Sequence, residues 1–324
     1  MKEDDVILAV SGLSKHYKYY KSLFDVKKNV IKAVDGVTFN VFKNEIFAVV
    51  GETGCGKSTL SKLIAGLAGK TSGEIKFKGE PLDYGIRGKN FRKKIQILFQ
   101  DPYSSLNPKK KIYKIVSYPA VRNGIIRKKD RLDFAVSRLK NVGLSENAAL
   151  NYPHMLSGGQ RQRVGIARCL SVSPELLILD EPVSALDMSI SAQILNLLTD
   201  LKEEAGMTYI FITHDLKLVR HIADRVCVMY GGKIMEIAKS GDFFDKPAHP
   251  YSNILYNSMM FFDSKNKNEA LKNKETIKPD GGKTTGCVYF NKCNASQDIC
   301  GKLEPQLKDI PNGGRSAACF FPFS

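Results

Sequence analysis

The sequence predicts an α/β protein with a mostly parallel sheet. Three observations carry that reading. A compact apolar run, Glu45 to Val50, ends at Gly51 in a glycine-rich turn that leads into helical periodicity. Two more apolar runs, Glu175–Asp180 and Met207–Thr213, likewise end in polar residues. Strand and helix signals alternate along the chain, the pattern of a parallel sheet covered by helices.

Val6–Val10 opens as a strand. Lys27-Lys28-Asn29 interrupts the pattern, and Ile31–Phe42 resumes an apolar/polar alternation suited to an antiparallel pair. Glu45–Val50 reads as a buried strand. Ser58–Leu67 has helical spacing, with Leu60, Leu63, Ile64 and Leu67 on one face. Residues 102–172 are basic, poor in strand signals and helical in places, as in Arg131–Val142 with Gly143 as its stop. They read as a helical insertion between two halves of the α/β core. Residues 263–285 hold six lysines and three asparagines and read as a flexible linker. Residues 286–324 form a small cysteine-bearing module.

Hydrophobic residues at 43% and charged residues at 25% exclude wholesale disorder over the 324 residues. The apolar runs fall well short of the roughly 18–20 residues a membrane-spanning helix needs. The acidic start, Met1 to Asp5, lacks the apolar core of a signal peptide. The expectation is a cytosolic chain that meets the membrane through a partner. The net charge of +16 is uneven: residues 76–141 carry 18 basic and 5 acidic side chains, or +13. Such a block attracts nucleic acid or an anionic membrane surface, or is a solvated lysine-rich face.

Gly51-Glu52-Thr53-Gly54-Cys55-Gly56-Lys57-Ser58 fits G-x-x-x-x-G-K-[ST] between a strand and a helix. Its glycines let successive N–H groups converge on phosphate oxygens, and the helix dipole adds to them. Lys57 reaches the β- and γ-phosphates, and Ser58 ligates Mg²⁺. Cys55 serves through its backbone. The run Leu176–Glu181 delivers Asp180 to the edge of the sheet where ligands bind, to hold Mg²⁺. Glu181 follows, placed to polarise an attacking water. Of the five histidines, His214 alone follows a core-like strand, which points to a γ-phosphate contact.

Leu156-Ser157-Gly158-Gly159-Gln160 begins 98 residues after Ser58 and resembles the signature of the ATP-binding-cassette (ABC) ATPases. Gln100 in Phe99-Gln100-Asp101-Pro102 resembles their Q-loop, and Ser184-Ala185-Leu186-Asp187 their D-loop. His214 resembles the switch histidine, and Tyr17 the aromatic that stacks on adenine. The resemblance implies a phosphate-loop NTPase core with an antiparallel β subdomain, a helical subdomain at about 102–172 and a boundary near residue 262. It implies ATP contacts at Tyr17, the loop from Gly51 to Thr59, Gln100, Asp180, Ser157–Gln160 and Asp187. Mg²⁺ would rest on Ser58, Gln100 and Asp180, with Glu181 and His214 catalytic. In a head-to-tail dimer, the Ser157–Gln160 turn of one subunit would close on the phosphate loop of the other.

The match narrows with FQDPYSSLNP (99–108), YPHMLSGGQRQR (152–163), DEPVSALD (180–187) and Pro247-Ala248-His249-Pro250-Tyr251. Together these resemble the ATPase subunits of the oligopeptide/dipeptide/nickel importer family, in their F-type. That implies a D-type ATPase partner, two membrane-spanning permease subunits and, indirectly, an extracytoplasmic binding protein. The chain would sit peripherally on the cytoplasmic face, moving peptides or, alternatively, nickel. A nucleic-acid ATPase of the superfamily would carry a long coiled coil between the two motifs, and a translation factor two cassettes in one chain. An ATP-binding sensor without turnover fits poorly with intact Glu181 and His214.

Cys287-x5-Cys293-x6-Cys300-x18-Cys319 resembles the C-terminal extension of these ATPases, some of which carry a [4Fe–4S] cluster. Four thiolates suit a cluster or tetrahedral zinc. The absence of the usual C-x2–4-C pair favours the cluster, with zinc or metal-free thiols as alternatives.

Overall fold

The computed structural model describes residues 5–19, 29–82, 89–261, 285–311 and 314–323. Two sheets carry the fold. β1 (Val6–Tyr19) and β2 (Asn29–Phe42) form a long antiparallel pair, with Val10 opposite Phe39 and Tyr19 opposite Asn29. β3 (Ile46–Val50) then enters the larger sheet, and α1 (Lys57–Ile64) follows the glycine turn. β4 (Ser72–Phe77) and β5 (Glu80–Pro81) complete the small sheet in the order β2-β1-β4-β5.

α1 is shorter than the sequence suggests. Gly66 turns left-handed at φ 69°, and the Leu67 amide bonds back to Lys62 O at 2.8 Å. This C-terminal turn throws Leu67 outward, so it is exposed rather than on the apolar face.

The helical region follows α2 (Lys89–Lys94) and β6 (Ile95–Leu98). It contains α3 (Pro102–Ser105), α4 (Ile112–Val116), α5 (Tyr118–Arg122), α6 (Arg131–Lys140) and α7 (Gly158–Leu170). α6 stops just before Gly143, whose φ is 70°. β7 (Leu176–Asp180), α8 (Met188–Ala205), β8 (Thr208–Thr213) and α9 (Leu216–Ile222) return the chain to the large sheet. β9 (Arg225–Tyr230) and β10 (Lys233–Lys239) then form a hairpin over Gly231-Gly232, both at positive φ. α10 (Ser240–Asp245) and α11 (Pro250–Phe261) precede the tail. The expected linker, 263–285, lies outside the described residues except Thr285.

The large sheet runs β11-β12-β10-β9-β3-β8-β7-β6, with β11 (Lys308–Asp309) and β12 (Ser316–Ala317) from the tail. Strands β9, β3, β8, β7 and β6 are parallel. The cysteine module is therefore an edge of the main sheet, joined where Glu236 lies opposite Ala317.

The central strands are buried on both faces, as their unbroken apolar sequences require. Phe47 and Val49, Ile178, and Ile210 and Ile212 face one core, shared with α1 and the small sheet. Leu177 and Leu179, and Tyr209 and Phe211, face the opposite core, shared with the helical region. Each such side chain contributes roughly 1.5–3 kcal/mol by leaving water. The parallel register sets Val50 beside Thr213 and Asp180 beside Ile212. Three strand ends thus open on one edge, where the polar residues gather.

Candidate active site

The turn after β3 needs its glycines. Gly51, Gly54 and Gly56 have φ of 153°, 84° and 113°. A Cβ on Gly51 would lie 2.2 Å from Met229 O, and one on Gly56 2.1 Å from Ala33 O. The loop is thus pressed against β9 and β2 with no room for side chains at these points. Thr53 and the backbone of Cys55 complete it. Lys57 is buried, and its Nζ donates to Gly51 O (2.7 Å) and Glu52 O (3.0 Å). The ammonium therefore lies folded over the loop, close to where phosphates would enter.

Ser58 and Thr59 open α1, and Ser58 Oγ stands 3.5 Å from Asp180 Oδ1. Ser61 Oγ donates to Asp180 Oδ2 at 2.9 Å. Burial pushes the Asp180 carboxyl above its usual range and neighbouring Glu181 adds to that, while the serine hydroxyls pull the other way. A carboxylate so placed is relieved by a cation. Ser58 and Asp180 fit a Mg²⁺ site. Ser61 was missed by the sequence reading; its only sequence signal is a hydroxyl one turn beyond Ser58.

Glu181 adopts a left-handed backbone at φ 49°, a strained state for a non-glycine residue, held by its N–H bond to Ile212 O (2.9 Å). Gln100 Nε2 donates to Glu181 Oε2 at 2.8 Å. His214 Nδ1 lies 3.5 Å from Glu181 Oε1, and the ring is 56% exposed. The ends of β6, β7 and β8 thus bring Gln100, Glu181 and His214 together.

Ser157 caps α7. Its Oγ accepts from Gln160 N (3.3 Å), and Gln160 Oε1 accepts from Ser157 N (3.0 Å), a reciprocal capping box. Gly159 lets α8 approach, since a Cβ there would meet Ile190 Cγ2 at 2.5 Å, and Gly158 faces Leu186 just before α8. Asp187 caps α8 through Ile190 N at 2.9 Å. Within the chain, the signature turn therefore packs on the D-loop side. Tyr17 stands exposed near the end of β1, with Lys15 Nζ 4.9 Å from its ring centre.

All four tail cysteines line one small cavity of about 20 Å³ with Tyr289, Phe290 and Phe320. Three sulfurs are hydrogen bonded to the amide two residues on: Cys287 to Tyr289, Cys293 to Ala295, and Cys319 to Phe321. Burial pushes the Cys287 thiol up to about 11. Among the described residues, no three His, Cys, Asp or Glu side chains stand ready-grouped around a single ion position.

A family profile described as "ABC transporter" matches residues 34–184, and "Oligopeptide/dipeptide transporter, C-terminal region" matches 235–300. The chain is 42% identical to the dipeptide transport ATP-binding protein DppF of Escherichia coli, over 97% of this chain and 94% of that one. It is also 42% identical to the oligopeptide transport ATP-binding protein AppF of Bacillus subtilis, over 94% of each. In structure it resembles cbiO1 of Clostridium perfringens, part of the ABC transporter complex cbiONQ. The TM-score is 0.64 at 34% identity, covering 75% of this chain and 92% of that one. The cassette MJ0796, dimeric and bound to ADP and Pi, gives a TM-score of 0.64 at 30% identity, with 72% and 98% covered. With the phosphate loop, the Gln100–Glu181–His214 group and the capped signature helix in place, the chain belongs to the ATP-hydrolysing subunits of the ABC transporters, in their oligopeptide/dipeptide branch.

Proposed function

We propose that this chain hydrolyses ATP to drive the import of oligopeptides or dipeptides, as a peripheral subunit on the cytoplasmic face of the membrane. The observation that carries the reading is the convergence of Gln100 and His214 on Glu181, beside Asp180 and the loop of Lys57. The names of the relatives supply the cargo class.

The loop amides and Lys57 bind the β- and γ-phosphates, Lys57 having a third N–H donor beyond those given to Gly51 O and Glu52 O. Tyr17 stacks on adenine. Mg²⁺ bound by Ser58 and Asp180, with Gln100 nearby, would neutralise charge building on the phosphate oxygens. Glu181 orients and polarises the water that attacks in line, and His214 bonds the γ-phosphate oxygens. The Ser157–Gln160 turn, a helix N-terminus that offers the Gly158 and Gly159 N–H groups, meets the γ-phosphate of ATP held by a second ATPase chain, of the D-type. Met188, 89% exposed beside Asp187, belongs to the surface that this partner covers.

The permease subunits dock on the helical region. Its exposed Lys109, Lys110, Lys128 and Lys129, with Tyr103, Tyr118 and Ile125, offer a basic and apolar surface suited to a partner under anionic headgroups. Among the described residues no helix is long and apolar enough to cross a membrane.

In the tail, Cys287, Cys293, Cys300 and Cys319 would be the four thiolates that hold a [4Fe–4S] cluster. A shared cavity and the N–H···S bonds support that donor set. Such a group would act as a structural staple or redox sensor, away from the phosphates.

The test is ATP-dependent peptide uptake by vesicles holding the assembled transporter, with the chain co-purifying with membrane proteins. Co-purification with nucleic acid and no stimulation by permease subunits would overturn the reading.

A further inference from the structure

The motif Pro247-Ala248-His249-Pro250-Tyr251 has no role in the hydrolysis described above, yet it reaches the phosphate loop. The Tyr251 hydroxyl accepts the backbone N–H of Glu52 at 3.1 Å. Glu52 is the second residue of the loop, and its carbonyl is one of the two that hold Lys57. One residue thus takes a bond from Lys57 on its C=O and gives one to Tyr251 on its N–H.

Tyr251 is seated with care for a residue 199 positions away in sequence. Its ring is buried at 1% exposure, 4.7 Å from Tyr230 and 5.2 Å from Tyr289 of the tail. Its own N–H donates to His249 Nδ1 at 3.0 Å. The turn before it is fixed by buried Glu236, whose carboxylate accepts from Ala248 N (2.9 Å) and His249 N (2.8 Å). A hydroxyl at the end of such a nest has little freedom.

From this geometry we infer that Tyr251 is a positioning residue of the nucleotide site, acting through Glu52. The inference rests on the Gly51–Ser58 loop being the ATP site. Lys57 spends two of its three N–H donors on Gly51 O and Glu52 O, and any of those bonds that it loosens to meet the phosphates stops bracing the loop. The Tyr251–Glu52 bond remains. It keeps the peptide after Gly51 in its open arrangement, so binding ATP costs less ordering of the loop. The tail contributes Tyr289 to that nest and so supports the phosphate site without touching nucleotide.

Tyr251→Phe deletes the hydroxyl and keeps the ring. In the full chain, ATP affinity should fall about three- to tenfold, the scale of one hydrogen bond. KM for ATP should rise by a larger factor than kcat falls, since the bond acts on binding. The Glu52 amide should exchange its hydrogen faster in the nucleotide-free variant. Tyr230→Phe, the same deletion in the neighbouring ring, should leave ATP affinity within about twofold. Parental ATP affinity in Tyr251→Phe, or an equal loss in Tyr230→Phe, overturns the inference. Lys57→Ala separates the two levels. If Lys57→Ala abolishes binding while Tyr251→Phe is silent, only the role of Tyr251 fails. If Lys57→Ala binds ATP normally, the loop is not the ATP site and both readings fall.

Discussion

Gln100 holds Glu181: the amide Nε2 of the first lies 2.8 Å from a carboxylate oxygen of the second, while His214 stands 3.5 Å from the other oxygen. A carboxylate bound by an amide donor keeps its direction, as a group that orients water must. It also links the end of β6, next to the helical region, to the end of β7. A shift of the helical region would thereby reach the Glu181 carboxylate.

Glu181→Gln should keep ATP binding and cut hydrolysis by at least ~10²-fold, the scale of losing a general base. Because nucleotide is no longer consumed, the variant should also trap an ATP-bound dimer on gel filtration. Near-parental turnover in the reconstituted transporter would remove Glu181 from its assigned role.

Lys57→Ala removes the buried ammonium from the loop. Turnover should drop by about 100-fold or more, and calorimetry should show ATP binding collapsing with it. Unchanged binding heats would mean that phosphates enter elsewhere.

Gly159→Ala tests the contact between α7 and α8. The new methyl would sit 2.5 Å from Ile190 Cγ2, a short branch with little room to swing. Overpacking of this kind costs about 1–3 kcal/mol. Chemical denaturation should show that loss, and Ile190→Ala in the same chain should recover part of it. Additive effects of the two substitutions would refute the contact.

Asp35 ties three parts of the chain together. It meets His16 on β1 (2.9 Å), Lys32 on β2 (3.1 Å) and Lys233 on β10 (3.0 Å), and Lys233 also bonds Glu304 of the tail. Burial works against its charge, but the bonds from Lys233, Lys32 and His16 hold the carboxyl down at about 2. A depressed carboxylate stabilises the fold above its unfolded value, near 4, and that contribution is lost as pH falls toward 2. The shift corresponds to about 2 kcal/mol. Asp35→Asn should therefore be less stable than the parent at pH 5, with the gap closing between pH 4 and 2. A constant gap across that window would assign the cost to lost shape rather than charge.

The phosphate loop was legible because its eight residues are contiguous and its glycines are needed by local geometry alone. The same holds for the buried strands, whose apolar runs name themselves. Leu67 was misread because periodicity does not reveal that Gly66 turns left-handed. Ser61 was missed because its role exists only once α1 lies against the end of β7. Tyr251 lies far from Glu52 in sequence, and nothing local to either residue announces their bond. β11 and β12 have two residues each, too few for any pattern, and become strands only by pairing beside β10.

Four tail thiols face one cavity, and three of their sulfurs already take amide N–H bonds that would stabilise thiolates. Left free, Cys287, Cys293 and Cys319 stay protonated, since burial pushes them above the usual thiol range. A metal group that displaces those protons would therefore bind more weakly as pH falls. Protein prepared without oxygen should be brown, absorb broadly near ~400 nm and carry about four irons per chain. Cys→Ser at Cys287, Cys293, Cys300 or Cys319 should bleach it. The same change at Cys169 or Cys227, buried in the two cores beside the main sheet, should leave the colour. Basal ATP hydrolysis at saturating ATP should outlast the bleaching, because the cavity holds no phosphate-binding residue, while assembly with the partner ATPase should weaken. Colourless anaerobic protein with one zinc per chain would replace the cluster by a zinc staple, and metal-free protein of parental stability would leave the four thiols without a metal.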